Sequence, residues 1–484
     1  MLYNVGATAT RTTKGEMAMY RLINSILHEF RDCFKRVKTW RWFVVLVLGF
    51  MVRRDHRGIT SIVSSMRLRP CLYHTILHFF RSIAYSAKGL YGKWIKIAIQ
   101  HGGIERIGGR VVVLGDHSNE SKEGLYMPGV QVLHQDSQNA GKPEFISGHR
   151  YAHISAVITK DAVMRSIPLM TELQESPPKE DKGNKESLVA QMIALVDEVA
   201  LSIGEPVVAA LDAYFCSGVA LDAAEKTMME SGERRVEIVT RAKTTTVAYE
   251  APEPPKVKKR GQPRKYGSKI ALYSLFSNTS EFKETTLVLY GKKTRVRYLC
   301  LDLIWRPVKK LVRFVLVEMD RGRCIFMSSS LTLSPEEIIT IYALRFKIET
   351  SFAEQKHDVG CFAYHFWTSA MPKRKKRKRA DEPTDISLRQ RVASTRAATE
   401  SFVCVSTIAT GILTLIAFDH SQEIWNRYSG WLRTRRSSVP TISVVKTALA
   451  QDFHASLPLL SHLPSFAFIE PLLRHAEFLY ETAA

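Results

Sequence analysis

The chain has 484 residues, 45% of them hydrophobic, so it is long enough for more than one domain and can build a large core. That composition excludes global disorder. The 69 Lys and Arg residues outnumber the 47 Asp and Glu, and the net charge of +22 indicates an acidic partner, either nucleic acid or an anionic membrane.

Two apolar runs bear on the membrane alternative. WFVVLVLGFMV, residues 42–52, is shorter than the roughly 20 residues of a membrane span. FVCVSTIATGILTLIAF, residues 402–418, is interrupted by Ser and Thr. We therefore predict that both are buried core helices. Residues 1–20 are polar and mixed, unlike a signal peptide. The 7 scattered cysteines include no CxxC pair, which favours a reducing cytosol over a disulfide frame or a zinc site.

The first part of the chain, residues 1–105, is predicted to be helical and basic. Residues 58–82 within it are compatible with a helix-turn-helix and equally with a plain helical bundle.

From residue 110 the pattern alternates between strands and helices. RVVVLGDHS, residues 110–118, predicts a buried strand that ends at Asp116 and meets a loop. EPVVAALDAYFCSG, residues 205–218, predicts a second buried strand that ends at Asp212. The other predicted elements here are strands at 149–159 and 234–243 and a helix at 186–203. This alternation predicts an α/β core with a mixed sheet.

A different pattern follows this core. VKKRGQPRKYGSK, residues 257–269, is a basic arm that either contacts DNA or is solvated. Residues 285–305 and 310–320 predict antiparallel strands of a β-rich insertion, and residues 323–330 predict a strand that returns to the core. The run KRKKRKR, residues 373–379, either follows a DNA backbone or forms a solvated loop.

One predicted helix starts at SPEE, residues 334–337, where Ser is the N-cap, Pro the first helical residue and Glu the third. It continues into YALRFKIETSFAEQK. At about 100° per residue, Tyr342, Arg345, Glu349 and Lys356 share a stripe about 60° wide. This stripe borders the apolar face, where a cleft residue is expected. The alternative is a solvated face with an Arg345–Glu349 pair.

The acids of this helix and of the two strands suggest phosphoryl chemistry. Three carboxylates that converge from two strands and a helix provide the oxygen ligands that Mg²⁺ prefers. Two such ions can bind the attacking water and the leaving oxygen of a phosphodiester together. Arg345 and Lys356 would then position phosphates, and Tyr342 would hydrogen-bond a phosphate or stack on a displaced base.

At these residues the sequence resembles a known family. Y-x2-R-x3-E-x6-K is the signature of a group of bacterial insertion-sequence transposases with a DDE triad, the insertion-sequence-four group. Three further regions resemble that family in the same order: LGDHSNESKEGLYMPGVQVLHQDS with PEFISGHRYAHISAV, then ALDAYF, then MSSSLTLSPEEIITIYALRFKIE. The resemblance covers roughly residues 105 to 365.

The resemblance implies a ribonuclease-H-like α/β core with a β-rich insertion, flanked by helical terminal regions. Asp116, Asp212 and Glu349 would be catalytic and would bind two Mg²⁺ ions, with Mn²⁺ as a substitute. Water would cleave a strand at the transposon end, and the freed 3′-hydroxyl would attack further phosphodiesters, through a DNA hairpin in relatives. The residues that would grip the DNA end are Tyr342, Arg345 and Lys356.

The sequence departs from the family pattern in two places. His117 and Ser118 follow Asp116 where relatives usually carry Thr, and Phe346 follows Arg345 where relatives carry Trp. Relatives also place a Trp in the β insertion that supports base flipping, so Trp305 is either that residue or a core Trp. His149 either orients one of the acids or is a core histidine.

The predicted organisation has six segments. They are a helical DNA-end-binding region at 1–105, core at 106–245, the β insertion at 246–322, core with the acidic helix at 323–370, a basic loop at 371–386 and a helical region at 387–484.

The predicted function is cut-and-paste DNA transposition. Its partners would be double-stranded DNA, both transposon ends and target, with a homodimer in the DNA complex and no membrane. The predicted location is cytoplasmic, at the nucleoid. Three alternatives remain: a non-catalytic or domesticated DNA-binding derivative, a stand-alone metal-dependent nuclease, and a membrane-surface protein.

Overall fold

A computed structural model describes residues 17–135, 141, 143–176, 187–252, 264–375, 380–432, 434–435 and 437–474. Several sequence predictions lie partly outside these ranges. They include residues 257–263 of the basic arm, residues 376–379 of the basic run, and residues 1–16 and 475–484 of the two terminal regions.

The helices of the described residues fall into three groups along the chain. They are α1 Ala18–Glu29, α2 Val37–Val52, α3 Gly58–Ser65, α4 Leu72–Phe80 and α5 Ala87–His101, then α6 Leu188–Ile203, α7 Gly218–Glu225, α8 Pro335–Leu344 and α9 Lys347–Ala353, then α10 Ile386–Asp419, α11 Ser421–Arg427 and α12 Ile442–Leu460. A π-helical turn, Glu354–Val359, directly follows α9.

The strands lie between the first and the last group of helices. They are β1 Arg106–Ile107, β2 Arg110–Ser121, β3 Gln131–His134, β4 Phe145–Lys160, β5 Val163–Gln174, β6 Val207–Leu211, β7 Val236–Ala242, β8 Val247–Tyr249, β9 Lys269–Ala271, β10 Lys283–Leu289, β11 Lys292–Trp305, β12 Lys310–Met319 and β13 Gly322–Ser328. The predicted alternation of strands and helices is confirmed, and the chain is a mixed α/β protein.

All the described strands belong to one mixed sheet. Its main path is β3-β4-β2-β6-β7-β13-β12-β11-β8-β9, and β5 pairs with β4. β2, β6 and β7 are parallel to one another, whereas β4 is antiparallel to β2 and β5 is antiparallel to β4. The predicted antiparallel strands of the insertion are confirmed, since β10, β11 and β12 pair in that way. β13 joins them to β7. The predicted segment boundaries stay predictions.

Alternating residues of the central strands pack on opposite sides of the sheet. Val112 and Leu114 of β2, with Val208 and Ala210 of β6, form one core with apolar residues of α8 and α9. The intervening residues of both strands pack against the helices of the two chain ends and α6. Because side chains of a strand alternate between faces, every second residue of β2 and β6 faces the α8–α9 side.

Helices from the two ends of the chain form one shared core. α2 and α10 are largely buried, which confirms that both apolar runs are core helices. Among the described residues one helix, Ile386–Asp419, is long and apolar enough to cross a membrane, and its apolar window is 100% buried in the structure.

Candidate active site

The first two predicted acids lie side by side where parallel pairing between β2 and β6 ends. The last paired residues are Gly115 and Leu211, and Asp116 and Asp212 follow them directly. Asp212 follows the last residue of its strand, as predicted. The prediction that Asp116 ends its strand is wrong. β2 continues to Ser121 because its second half still pairs with the long strand β4.

Strand geometry directs both acids toward the helical layer of α8 and α9. Asp116 continues the face of Val112 and Leu114, and Asp212 continues that of Val208 and Ala210, which pack against this layer. The backbone around Asp212 is fixed in two ways. Its Oδ1 accepts a hydrogen bond from the Tyr214 N–H at 2.8 Å, and its carbonyl accepts one from the Thr240 hydroxyl at 2.6 Å.

The charge of Asp212 acts on the neighbouring carboxylate of Asp116. Burial, and then the negative charge of Asp212, raise the pKa of Asp116 to about 6. Two contacts oppose this rise. The Arg345 Nη1 donates to Asp116 Oδ2 at 3.0 Å, and the His117 N–H donates to Asp116 Oδ1 at 2.8 Å. The pair is thus a half-buried concentration of negative charge that a single arginine only partly offsets.

Arg345 also contacts the third acid. Its Nη2 donates to Glu349 Oε1 at 3.3 Å, so one guanidinium joins Asp116 and Glu349. The Arg345 side chain is 16% exposed and that of Glu349 is 49% exposed. A solvated Arg345–Glu349 pair is therefore an incomplete description. The arginine is largely buried and also contacts Asp116 of the strand.

The helix that carries these residues is not continuous, contrary to the sequence prediction. α8 ends at Leu344 and α9 starts at Lys347. Across this break Arg345 and Ile348 donate to carbonyls three residues back, which tightens the turn. The predicted start is confirmed, since Ser334 and Glu337 form a full capping box. The predicted stripe of four residues required a continuous α-helix with about 100° per residue. The break and the π turn interrupt that regular geometry, so the four residues do not share one stripe.

Of the other two residues of the predicted stripe, Tyr342 lies within electrostatic reach of Arg345 and Asp212, whereas Lys356 is directed away from the acid pair. Tyr342 is half-buried, and its ring packs on Phe326 with centroids 4.5 Å apart. Lys356 lies in the π turn, and its Nζ is 3.0 Å from Oε2 of Glu120. Glu120 lies four residues beyond Asp116 on β2, so Lys356 is directed to a different part of that strand.

A concavity of about 270 Å³ opens beside the two strand acids. The other residues that line it carry no role predicted from the sequence: His117, Asn119, His134, Arg150, Tyr214 and Phe215. Arg150 pairs with Asn119 across β2 and β4, and its Nε donates to Asn119 Oδ1 at 3.2 Å. Arg150 directly follows His149 in the strand segment GHRY. That position next to a candidate site residue was the one sequence feature that could have identified Arg150.

The contacts of His149 and Trp305 favour a structural role for each residue over a role at the acids. His149 is fully buried, and its ring nitrogens hydrogen-bond the Tyr364 hydroxyl at 2.5 Å and the Pro128 carbonyl at 2.8 Å. It contacts none of the three acids by these bonds. Trp305 is 7% exposed and packs in the apolar core of the insertion strands.

The donor set fits a hard divalent cation at the strand acids. A carboxylate whose pKa is raised, as that of Asp116 is, is stabilised in its charged form when a cation binds beside it. In the part of the chain that the structure describes, however, no three Asp, Glu, His or Cys groups cluster as a metal site. The Arg345 guanidinium contacts both Asp116 and Glu349, at 3.0 and 3.3 Å, and so occupies the space between these two carboxylates.

No family model matches the sequence, and no curated protein matches it.

Proposed function

We propose that the chain is a DNA transposase that cleaves and joins DNA by metal-dependent phosphoryl transfer. One observation carries the proposal: Asp116 and Asp212 lie side by side at the end of paired parallel strands, and Arg345 links Asp116 to Glu349. Two strands thus place two distant carboxylates beside each other, and a helix adds an arginine that contacts both Asp116 and a third carboxylate, Glu349. If the helix merely presented a solvated face, these groups would have no reason to lie together.

A ribonuclease-H-like core is part of this proposal. Its support is the strand order β5-β4-β2-β6-β7, in which the first three strands form an antiparallel meander and the last two are parallel to β2. In the chain, α6 precedes β6 and α7 precedes β7. These are the order and the directions of strands in ribonuclease-H-like sheets.

The residues divide the proposed reaction among them. Two bound Mg²⁺ ions, or Mn²⁺, would supply Lewis-acid activation of water and stabilise the leaving oxygen. Asp116 and Asp212 would hold the metal at the strand ends, and Glu349 would complete the ligand set. Arg345 would exchange its carboxylate contacts for a phosphate, to which its planar guanidinium donates in pairs.

The proposal also includes DNA contacts by residues other than the three acids and Arg345. Tyr342 and Lys356 would contact the DNA end, and the net charge of +22 favours a polyanionic partner over a neutral one. The proposal includes a homodimer on two transposon ends, no membrane partner and a cytoplasmic, nucleoid-associated location.

The test is an analysis of products from a supercoiled plasmid that carries the DNA flanking the coding sequence. Wild-type protein with Mg²⁺ is expected to release the segment and to form joined molecules. Asp212→Asn is expected to abolish both products, because it removes one of the paired carboxylates. The matched control is Asp222→Asn, an exposed acid on α7 that should cut and join like the wild type.

The products also separate the alternatives. Hydrolytic ends without any joined molecule would replace the proposal by a stand-alone nuclease. DNA binding without cleavage in any divalent ion would replace it by a non-catalytic derivative. Equal activity of Asp212→Asn and Asp222→Asn would remove the strand acids from the chemistry.

A further inference from the structure

A second concavity lies beyond the far end of β2, outside the candidate active site. Its volume is about 500 Å³, within the range of small-ligand sites. One wall is residues 121–127, which follow β2, and the other carries His365 and Trp367. From Asp116 to the near wall the chain runs five residues of extended strand, or about 17 Å.

The second wall is an extended segment that presents aromatic side chains outward. Tyr364 and Phe366 are buried in the helical core, whereas His365 and Trp367 point to the other side, as the alternation of an extended chain requires. Trp367 is 61% exposed. A tryptophan on a buried, fixed segment is an unusual residue to leave in water, since most of its surface is apolar.

The first wall is held in place against the second. The Thr368 N–H donates to the Tyr126 carbonyl at 3.2 Å, and the Arg374 N–H donates to the Leu125 carbonyl at 2.9 Å. The Tyr126 and Leu125 side chains are themselves 38% and 40% exposed. The concavity is therefore a preformed slot between two tied segments, lined by exposed apolar groups.

Positive charge lies at one end of this slot. Lys122 lines the slot with its stem, and its ammonium is directed to the core side, where it donates to the Phe362 carbonyl and lies 4.0 Å from the centroid of the buried Tyr364 ring. Lys373 and Lys375 are exposed a few residues beyond Trp367, at the start of the basic run. The acid in the lining is Glu123. Lys356, in the π turn, lies along β2 between this slot and the acid pair.

We propose that this slot binds an unpaired nucleobase of the DNA that occupies the active site, stacked on Trp367. The inference rests on the proposed function, because it assumes a DNA strand along β2. Stacking platforms beside cationic tracks are the general means by which proteins bind single strands without reading their sequence. The aromatic face provides the platform here. Lys373 and Lys375, on either side of the Arg374 that is tied to Leu125, provide the track for the phosphates.

The experiment uses the full chain and two labelled DNA probes, a blunt duplex and the same duplex with a single-stranded extension. Affinity is measured by fluorescence anisotropy over a series of salt concentrations. Trp367→Ala is expected to bind the extended probe about 10-fold more weakly, which is within the range for loss of one stacked base. It is expected to bind the blunt duplex like the wild type. Trp367→Phe retains an aromatic face and should retain most of the affinity.

Two matched variants separate stacking from charge. Trp431→Ala removes a tryptophan that is 85% exposed elsewhere and should leave both probes unaffected. Replacing Lys373 and Lys375 together by Gln should flatten the dependence of affinity on salt, because each phosphate contact releases counterions. Trp367→Ala should lower affinity without changing that slope, since stacking involves no counterion.

Failure of the inference differs from failure of the proposed function. If Trp367→Ala binds the extended probe as tightly as the wild type, the slot does not hold a base and the inference is overturned. If the wild type binds neither probe, the transposase proposal fails, and the inference fails with it. A wild type that never cuts DNA but shows the expected loss in Trp367→Ala would support the slot and contradict the transposase proposal alone.

Discussion

Replacing Arg53 by Met tests whether the end of α2 holds the π turn that carries Lys356. The Arg53 side chain is 1% exposed. Its Nε and Nη2 donate to the Val359 carbonyl at 3.0 and 2.7 Å, and Nη2 also donates to the Gly360 carbonyl at 2.7 Å. Nη1 reaches the Gly58 carbonyl at 3.2 Å. One guanidinium thus satisfies three backbone carbonyls, two of them at the end of the π turn.

The expected cost follows from those carbonyls. A buried acceptor left without a partner costs about 1–3 kcal/mol, and Met fills most of the volume of the lost side chain. We therefore expect Arg53→Met to lower the free energy of unfolding by about 3–5 kcal/mol, measured by urea titration with tryptophan fluorescence. The control is Arg54→Met, which removes the same charge from the exposed neighbouring position. If the two variants agreed within about 0.5 kcal/mol, the π turn would not depend on Arg53.

Three further predictions concern stability. Burial, and then the charge of Arg53, lower the pKa of Lys446 to about 7. The unfolded chain therefore binds a proton that the folded chain lacks between about pH 7 and 10, so stability rises with pH in this window. Lys446→Met should show a smaller rise in urea titrations at about pH 7 and 9, and an equal rise would contradict the assignment. Lys356→Gln removes the cation beside the buried Glu120 carboxylate, which keeps a hydrogen bond from the Ser118 hydroxyl at 3.3 Å, and should cost about 1–3 kcal/mol. Changing Glu120 to Gln as well should largely restore stability, and a double variant no more stable than the single one would exclude the pair. Ser334→Ala removes the N-cap of α8 and should lower the free energy of unfolding by about 1 kcal/mol in the same assay. An unchanged urea midpoint would mean that this cap does not contribute to stability.

Features coded by local pattern were predictable from the sequence. The continuous apolar run Val207–Leu211 before Asp212 defines a buried strand because its residues pack on both faces of the sheet. The Ser334-to-Glu337 capping box depends only on residues three apart. The two apolar runs were recognised as core helices because each was too short or too polar for a membrane span.

Features that depend on distant pairing were not predictable. β2 continues past Asp116 because β4, a partner not visible in the local pattern, extends along it. Arg345 was paired with its helical neighbour Glu349, yet its shorter contact is to Asp116, 229 residues away. Lys356 likewise reaches Glu120 across 236 residues. A helical wheel contains no information about either strand partner or about the break at Leu344.

The raised pKa of Asp116 was likewise not predictable from the sequence. A sequence shows two acids, but it does not show that burial and a neighbouring carboxylate together disfavour the charged form. Only the register that places Gly115 opposite Leu211 makes the two acids neighbours. The site was therefore predictable as a set of residues, whereas its electrostatics required the folded sheet.

The most direct test of the account compares DNA binding and DNA cleavage by the wild type and Glu349→Gln in Mg²⁺, on one plasmid that carries the flanking ends. Glu349 is exposed on α9, so its replacement should leave the fold intact. The account predicts that both proteins bind the ends equally and that only the wild type cuts them. Equal cutting by both proteins would contradict it, because the acidic helix would then serve as a surface and not as part of the catalytic centre.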